Sequence, residues 1–255
     1  MQDPQIGRWF TQDIKAGKYS NVSPYAYCLN NPIIFVDPDG KDVDIAIKKQ
    51  QVNGVNQVQA TATINLTIVD PSGNYGAAHM QQLKQMVHDT YSGSIQTSVK
   101  DAKGKEIITS IDVDVQLNLT VIKDVDKAKS TDFILTLVDD IPFQQNTSEG
   151  PCNPVGLASG AGDVGTVENN RSGQFINNVA DHELGHILGL GHSPGTVMNK
   201  NVDTDPKTSS TKTNPAQKKQ LWEWIKNLPN GNNKNRLGTT KDSRAEMKTF
   251  IKETQ

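Results

Sequence analysis

With 255 residues, 35% of them hydrophobic and 21% charged, the chain has the length for one or two domains. Its formal net charge of −2 provides no basic footprint for nucleic acid, which weighs against a nuclease. No apolar run approaches the ~18 residues of a membrane span, and residues 1–15 contain no apolar stretch of the signal-peptide kind.

Residues 41–57 read as a polar linker. Ala62, Ile64, Leu66 and Ile68 then alternate with Thr61, Thr63, Asn65 and Thr67, the period of a half-buried strand, which the turn DPSGNYG ends. Met80, Leu83, Val87 and Tyr91 recur at helical spacing and predict a helix over 76–91. His79 and His88 ride on it nine residues apart without a ligand-type partner at i+4, so both read as solvated. Alternation from Ile111 to Val121 marks a long strand expected to pair with the first. FILTLV at 133–138 has the continuous apolar character of a central strand covered on both faces. The Gly-rich stretch 150–166 follows, and then the helix expected to carry His182 and His186, with apolar residues recurring from Ile176 to Leu188. After a polar loop at 199–214, a helix is predicted from Pro215 to Leu228, with Trp222 and Trp224 as packing residues; a charged helix closes the chain over 241–255.

The chemistry concentrates in HELGHILGLGH at 182–192. At about 100° per residue, His182 and His186 share one helix face and can hold one metal ion. Gly189 can take the positive φ that ends a helix, which returns the chain and brings His192 in as a third ligand. Three neutral nitrogens leave a fourth tetrahedral position for water, the pattern of catalytic zinc. Glu183, beside the ligands, is placed to act as general base. Three histidines, a glutamate and a glycine fall at these offsets by chance with a probability below about 10⁻⁵. Ile176, Ala180, Leu184, Ile187 and Leu188 form the stripe expected to face the core.

The string H-E-x-x-H-x-x-G-x-x-H followed by Met198 in SPGTVMN resembles the metzincin zinc peptidases. FINNVADHELGHILGLGHS is most similar to their matrixin branch, although the span from His192 to Met198 is shorter than in that branch and no tyrosine follows Met198. The resemblance implies an α+β fold: a twisted mixed sheet with an edge strand, an active-site helix, a Met-turn whose Met198 packs beneath the metal without binding it, and a C-terminal helix. It also implies one catalytic Zn2+ held by His182, His186 and His192, and an extended peptide substrate paired to an edge strand. The segment from Gly156 to Gly165, with Gly156, Leu157, Ala158 and Gly165, is the expected edge or its rim.

Residues 1–40 carry a different signature. DPQIGRW (3–9), SPYAYCLNNPI (23–33) and VDPDG (36–40) resemble the end of the Rhs repeat-associated core domain. That likeness implies a C-terminal effector following a bacterial Rhs shell, secreted or delivered into a target cell and blocked in its producer by a cognate immunity protein. Pro32, Asp37, Pro38 and Gly40 match the shell's self-cleavage motif, but Lys41 stands where leucine is expected. The expected organisation is thus an Rhs remnant at 1–40, a linker at 41–57, a metzincin-like peptidase at 58–229 and a tail helix at 230–255. A Ca2+ loop at DPDGKD lacks the twelve-residue pattern with its final glutamate. With only Cys28 and Cys152, two free thiols and one disulfide both stay open, so cysteine usage does not fix the compartment. A zinc endopeptidase is the leading expectation; a catalytically silent binding module and a zinc hydrolase of a non-peptide substrate are the alternatives.

Overall fold

The computed structural model describes residues 2–3, 8–9, 42–141, 145–147, 150–152, 154–159, 163–170, 172–198, 212–236 and 242–254. The chain divides into two units, Met1–Asp39 and Gly40–Gln255. In the first, β1 (Gln2–Asp3) pairs antiparallel with β2 (Arg8–Trp9), so both ends of the DPQIGRW piece of the Rhs resemblance take part in a short strand pairing. The other two pieces, Cys28 and so the choice between free thiols and a disulfide to Cys152, the expected self-cleavage motif and the start of DPDGKD lie outside the described residues.

The second unit is α+β, built on an eight-stranded mixed sheet. Its spine is β4 (Val55–Val69), which pairs parallel with β6 (Glu106–Ile122) along nearly its whole length. On the other side β4 meets β3 (Asp42–Val52) antiparallel over its first ten residues and β7 (Phe133–Val138) parallel over its last four. Outward from β7 come β11 (Val164–Glu168), parallel, and then β10 (Gly156–Ala158), antiparallel and at the edge. β12 (Gly231–Arg236) extends the sheet beyond β3, and β5 (Gly93–Lys100) extends it beyond β6. A separate small pairing joins β8 (Gln145–Thr147) to β9 (Gly150–Cys152). The long alternating strand does pair with the first, as expected, and FILTLV is a central strand with five of its six residues buried.

Residues 41–57 are not a linker, because β3 and its turn occupy them. Val43, Ile45 and Ile47 are buried on the core face while Ala46 and Lys48 point outward, and the polar run Lys48–Gln51 hides that alternation from a sequence reading. Asn53 and Gly54 at φ 51° and 78° make the two-residue turn whose twist matches a β-hairpin. The chain after 229 is likewise more than a tail helix. β12 joins the sheet, and α4 (Ser243–Thr254) seats Met247, with no exposed surface, against Val69, Ile134 and Val164 on the opposite sheet face.

Three helices cover the other face. α1 (Ala77–Tyr91) buries Leu83, Val87 and Tyr91 at one-turn spacing against the β4–β6 layer. Across α2 (Gly173–Ile187), Ile176, Ala180, Leu184 and Ile187 of the expected apolar stripe are buried, Leu188 is buried just past the helix end, and Val179 joins them. α3 (Pro215–Trp222) continues as a 3₁₀ turn over Glu223–Asn227, where a single α-helix was expected. Trp222 is fully buried and its Nε1–H donates to Tyr91 O at 2.9 Å, so it is a core residue, while Trp224 is half-buried. Among the described residues, no helix is long and apolar enough to cross a membrane.

Candidate metal centre

α2 begins at Ser172, whose hydroxyl accepts from Phe175 N, and its end decides the site. Gly189, at φ 88°, donates to His186 O at 2.9 Å, and Leu190 N donates to Gly185 O at 2.9 Å. This is a Schellman termination, which needs a residue free to adopt the left-handed region. The reversal places His192 opposite the last helical turn. His186 Nε2 then lies 3.1 Å from His182 Nε2 and 3.1 Å from His192 Nε2. Among the described residues these three form the one group of His, Cys, Asp or Glu side chains close enough to share an ion.

The opposite ring nitrogens determine what those Nε2 atoms are. His182 Nδ1 faces Val197 O at 2.8 Å and His186 Nδ1 faces Leu190 O at 2.9 Å. A carbonyl only accepts, so each Nδ1 carries the proton. Burial pushes His182 down to about 4 and also lowers His186, which keeps both rings neutral. Their Nε2 atoms are therefore bare lone pairs directed at each other, a repulsive arrangement unless a cation lies between them. Two nitrogens bound ~2.1 Å from one tetrahedral ion stand ~3.4 Å apart, close to the separation observed. The donor set is thus one that fits a metal ion.

Glu183 is buried, and burial raises its carboxyl to about 8. Its neighbour is Gly156, the first residue of β10: a Cβ there would lie 2.6 Å from Glu183 Oε1 and would overlap Val179. The edge strand thus runs directly past the carboxylate. Of the predicted edge residues, Gly156, Leu157 and Ala158 are half-buried on β10, whereas Gly165 is buried one strand inward. Gly165's lack of a side chain serves packing, since a Cβ would come within 2.8 Å of both Leu157 O and Leu135 Cδ2.

Met198, fully buried, packs under α2 at Gly185, where any Cβ would collide with its sulfur and stand 2.9 Å from Tyr91 Oη. Met198 thus lies beneath the helical turn that carries His182 and His186. Behind the helix, Tyr91 Oη donates to Asp181 O at 2.5 Å, Thr90 Oγ1 donates to Asp181 Oδ2 at 2.7 Å, and Thr213 Oγ1 donates to Thr90 O at 2.6 Å. Burial raises Asp181 to about 7, against the Thr90 hydrogen bond. This buried network gave no sequence signal, because its members lie on α1, α2 and the approach to α3 and meet only on folding.

Neither of the other two described histidines joins the cluster, and neither is freely solvated. His79 is half-buried beside Tyr75 and over Gly173, with Nδ1 buried and unpartnered. His88 is held between Asp89 and Asp114 at 3.0 and 3.2 Å. No protein-family model and no curated protein matches the chain.

Proposed function

We propose that the chain is a zinc-dependent endopeptidase of the metzincin kind. The observation that carries this reading is the convergence of three Nε2 atoms, two of them held as neutral lone-pair donors by backbone carbonyls, beside a buried glutamate and an edge strand. His182, His186 and His192 hold the ion. When bound, zinc acts as a Lewis acid and lowers the pKa of water from 15.7 towards 7. Glu183, beside the ligands, would take the water's proton and return it to the leaving amine. Among the described residues β10 pairs with β11 alone, so its outer edge can pair with an extended peptide and lay it past Glu183.

Residues 1–40 resemble the end of an Rhs core domain, which supports an effector role for this peptidase in a secreted or delivered bacterial protein, with an immunity protein as partner. The test compares wild type with Glu183→Ala for zinc content and for cleavage of a broad peptide library. Zinc in both proteins with cleavage in wild type alone is the expected outcome. Equal cleavage by both would sink the mechanism, and zinc without cleavage in wild type would favour a silent module. Toxicity in a bacterial host, lost in the variant, would support the effector role.

A further inference from the structure

Val197 O, which fixes the His182 ring, belongs to the 193–198 turn, so the placement of this ligand depends on what holds that turn. Its ends are tied by Ser193 N donating to Met198 O at 2.7 Å, and Val197 N donates out of the turn to Lys212 O at 3.0 Å. Its interior is organised by one hydroxyl. Thr196 Oγ1 donates to Ser193 O at 2.8 Å and accepts from Met198 N at 3.1 Å. A third bond reaches the same oxygen from α3, where Gln217 Nε2 donates at 3.4 Å. Gln217 Oε1 meanwhile accepts from Asn214 N at 2.9 Å, and Asn214 Nδ2 donates to Ser193 Oγ at 3.3 Å. The capping box that starts α3 therefore also grips the turn.

A threonine hydroxyl has one proton and two lone pairs, and all three are engaged here. Thr196 and Gln217 are both buried, so water does not replace a lost partner readily. The path runs from Gln217 through Thr196 to the backbone on either side of Val197, and from Val197 O to His182 Nδ1. The geometry points to Thr196, braced by Gln217, as a positioning residue that sets the direction of His182 and thereby the affinity of the metal centre. The inference rests on the metal-centre reading above and adds a residue that touches neither metal nor substrate.

The test is zinc affinity, measured by competition with a chromophoric chelator, together with the visible absorption of the cobalt-loaded protein. Thr196→Val keeps the volume and deletes the hydroxyl. It is expected to weaken zinc binding about 10- to 100-fold, the range for loss of a group that orients a ligand, and to change the cobalt spectrum. Thr196→Ser restores the hydroxyl and is expected to restore both. Val58→Ala, in the β4 core away from the turn, measures what destabilisation alone does to zinc affinity, with melting of the metal-free proteins followed in parallel. Wild-type affinity in Thr196→Val, or an equal loss in Val58→Ala, would overturn the brace. If Thr196→Val does not fold, Gln217→Glu decides: it keeps the acceptor for Asn214 N and removes the donor to Thr196. Weaker zinc binding in that variant supports the brace, and unchanged binding overturns it. A wild type that binds no zinc defeats the metal-centre reading, whereas a zinc-binding wild type with an indifferent Thr196→Val defeats the brace alone.

Discussion

Two settings for histidine lie within the second unit, and they turn the same imidazole into opposite chemistry. At His182 and His186 one ring nitrogen donates to a buried carbonyl, so the ring stays neutral and the other nitrogen is left as a lone pair. At His88 both ring nitrogens face carboxylates, Asp89 and Asp114, on a half-exposed surface, and the hydrogen bond to Asp89 raises its pKa. A histidine is thus made a metal donor by what occupies its second nitrogen and by burial, more than by its place on a helix. His88 lies on an amphipathic helix as His182 does, yet the proton suits it better than a metal.

That contrast is most exposed at Glu183, to which the proposed function assigns the chemistry that the histidines alone do not supply. Glu183→Gln is expected to retain zinc and to lower peptide hydrolysis by about 10²- to 10⁴-fold in single-turnover assays, the range for loss of a general base. A fall of less than tenfold would remove Glu183 from that role. His186→Ala deletes the nitrogen that stands 3.1 Å from both other ligands. Zinc affinity should then drop by more than the ~100-fold limit typical of outer-shell changes, read by chelator competition; an unchanged affinity would mean the three rings do not act as one centre. Gly156→Ala puts a methyl into Glu183 Oε1 and Val179. Its expected signature is a decrease of about 10- to 100-fold in kcat/KM with zinc content unchanged, since small displacements of reacting groups carry costs of that order. Loss of zinc instead would show that β10 supports the ligands and not the base.

The smallest effect belongs to the surface histidine. Because its folded-state pKa is raised above 6.5, the stability from His88 is fully present below that unfolded value and is lost as pH rises through the folded value. Both His88 and Asp114 are close to half exposed, so the contribution is held to under about 1 kcal/mol. His88→Gln should flatten the fall in melting temperature as pH rises above 6.5 and leave zinc affinity as in wild type. A variant with impaired zinc binding would erase the distinction between the two settings.

The three-histidine cluster was legible because its spacing is local: the helical repeat and the Gly189 reversal bring together residues within an eleven-residue string. The spine strand, the central strand and α1 were legible for the same reason, each having a clear period of two or of one helical turn. β3 was missed because polar residues from Lys48 to Gln51 interrupt its alternation, and β5 and β12 because Thr, Ser, Asn and Lys dominate edge strands that bury little. Cys28, and with it the choice between two free thiols and a disulfide to Cys152, lies outside the described residues, as does most of the Rhs-like segment.

By itself the sequence determined a three-histidine string able to converge on one ion, a glutamate beside it and a methionine downstream, because helix periodicity and a single glycine reversal act over a few residues. Only the tertiary structure decided which nitrogens are lone pairs, through Val197 O and Leu190 O. It also decided that β10 passes Glu183 at Gly156 and that α3 grips the turn at Thr196. These contacts join groups distant along the chain or fixed by the course of a turn, and neither period nor spacing encodes where such groups meet once the core has closed around them.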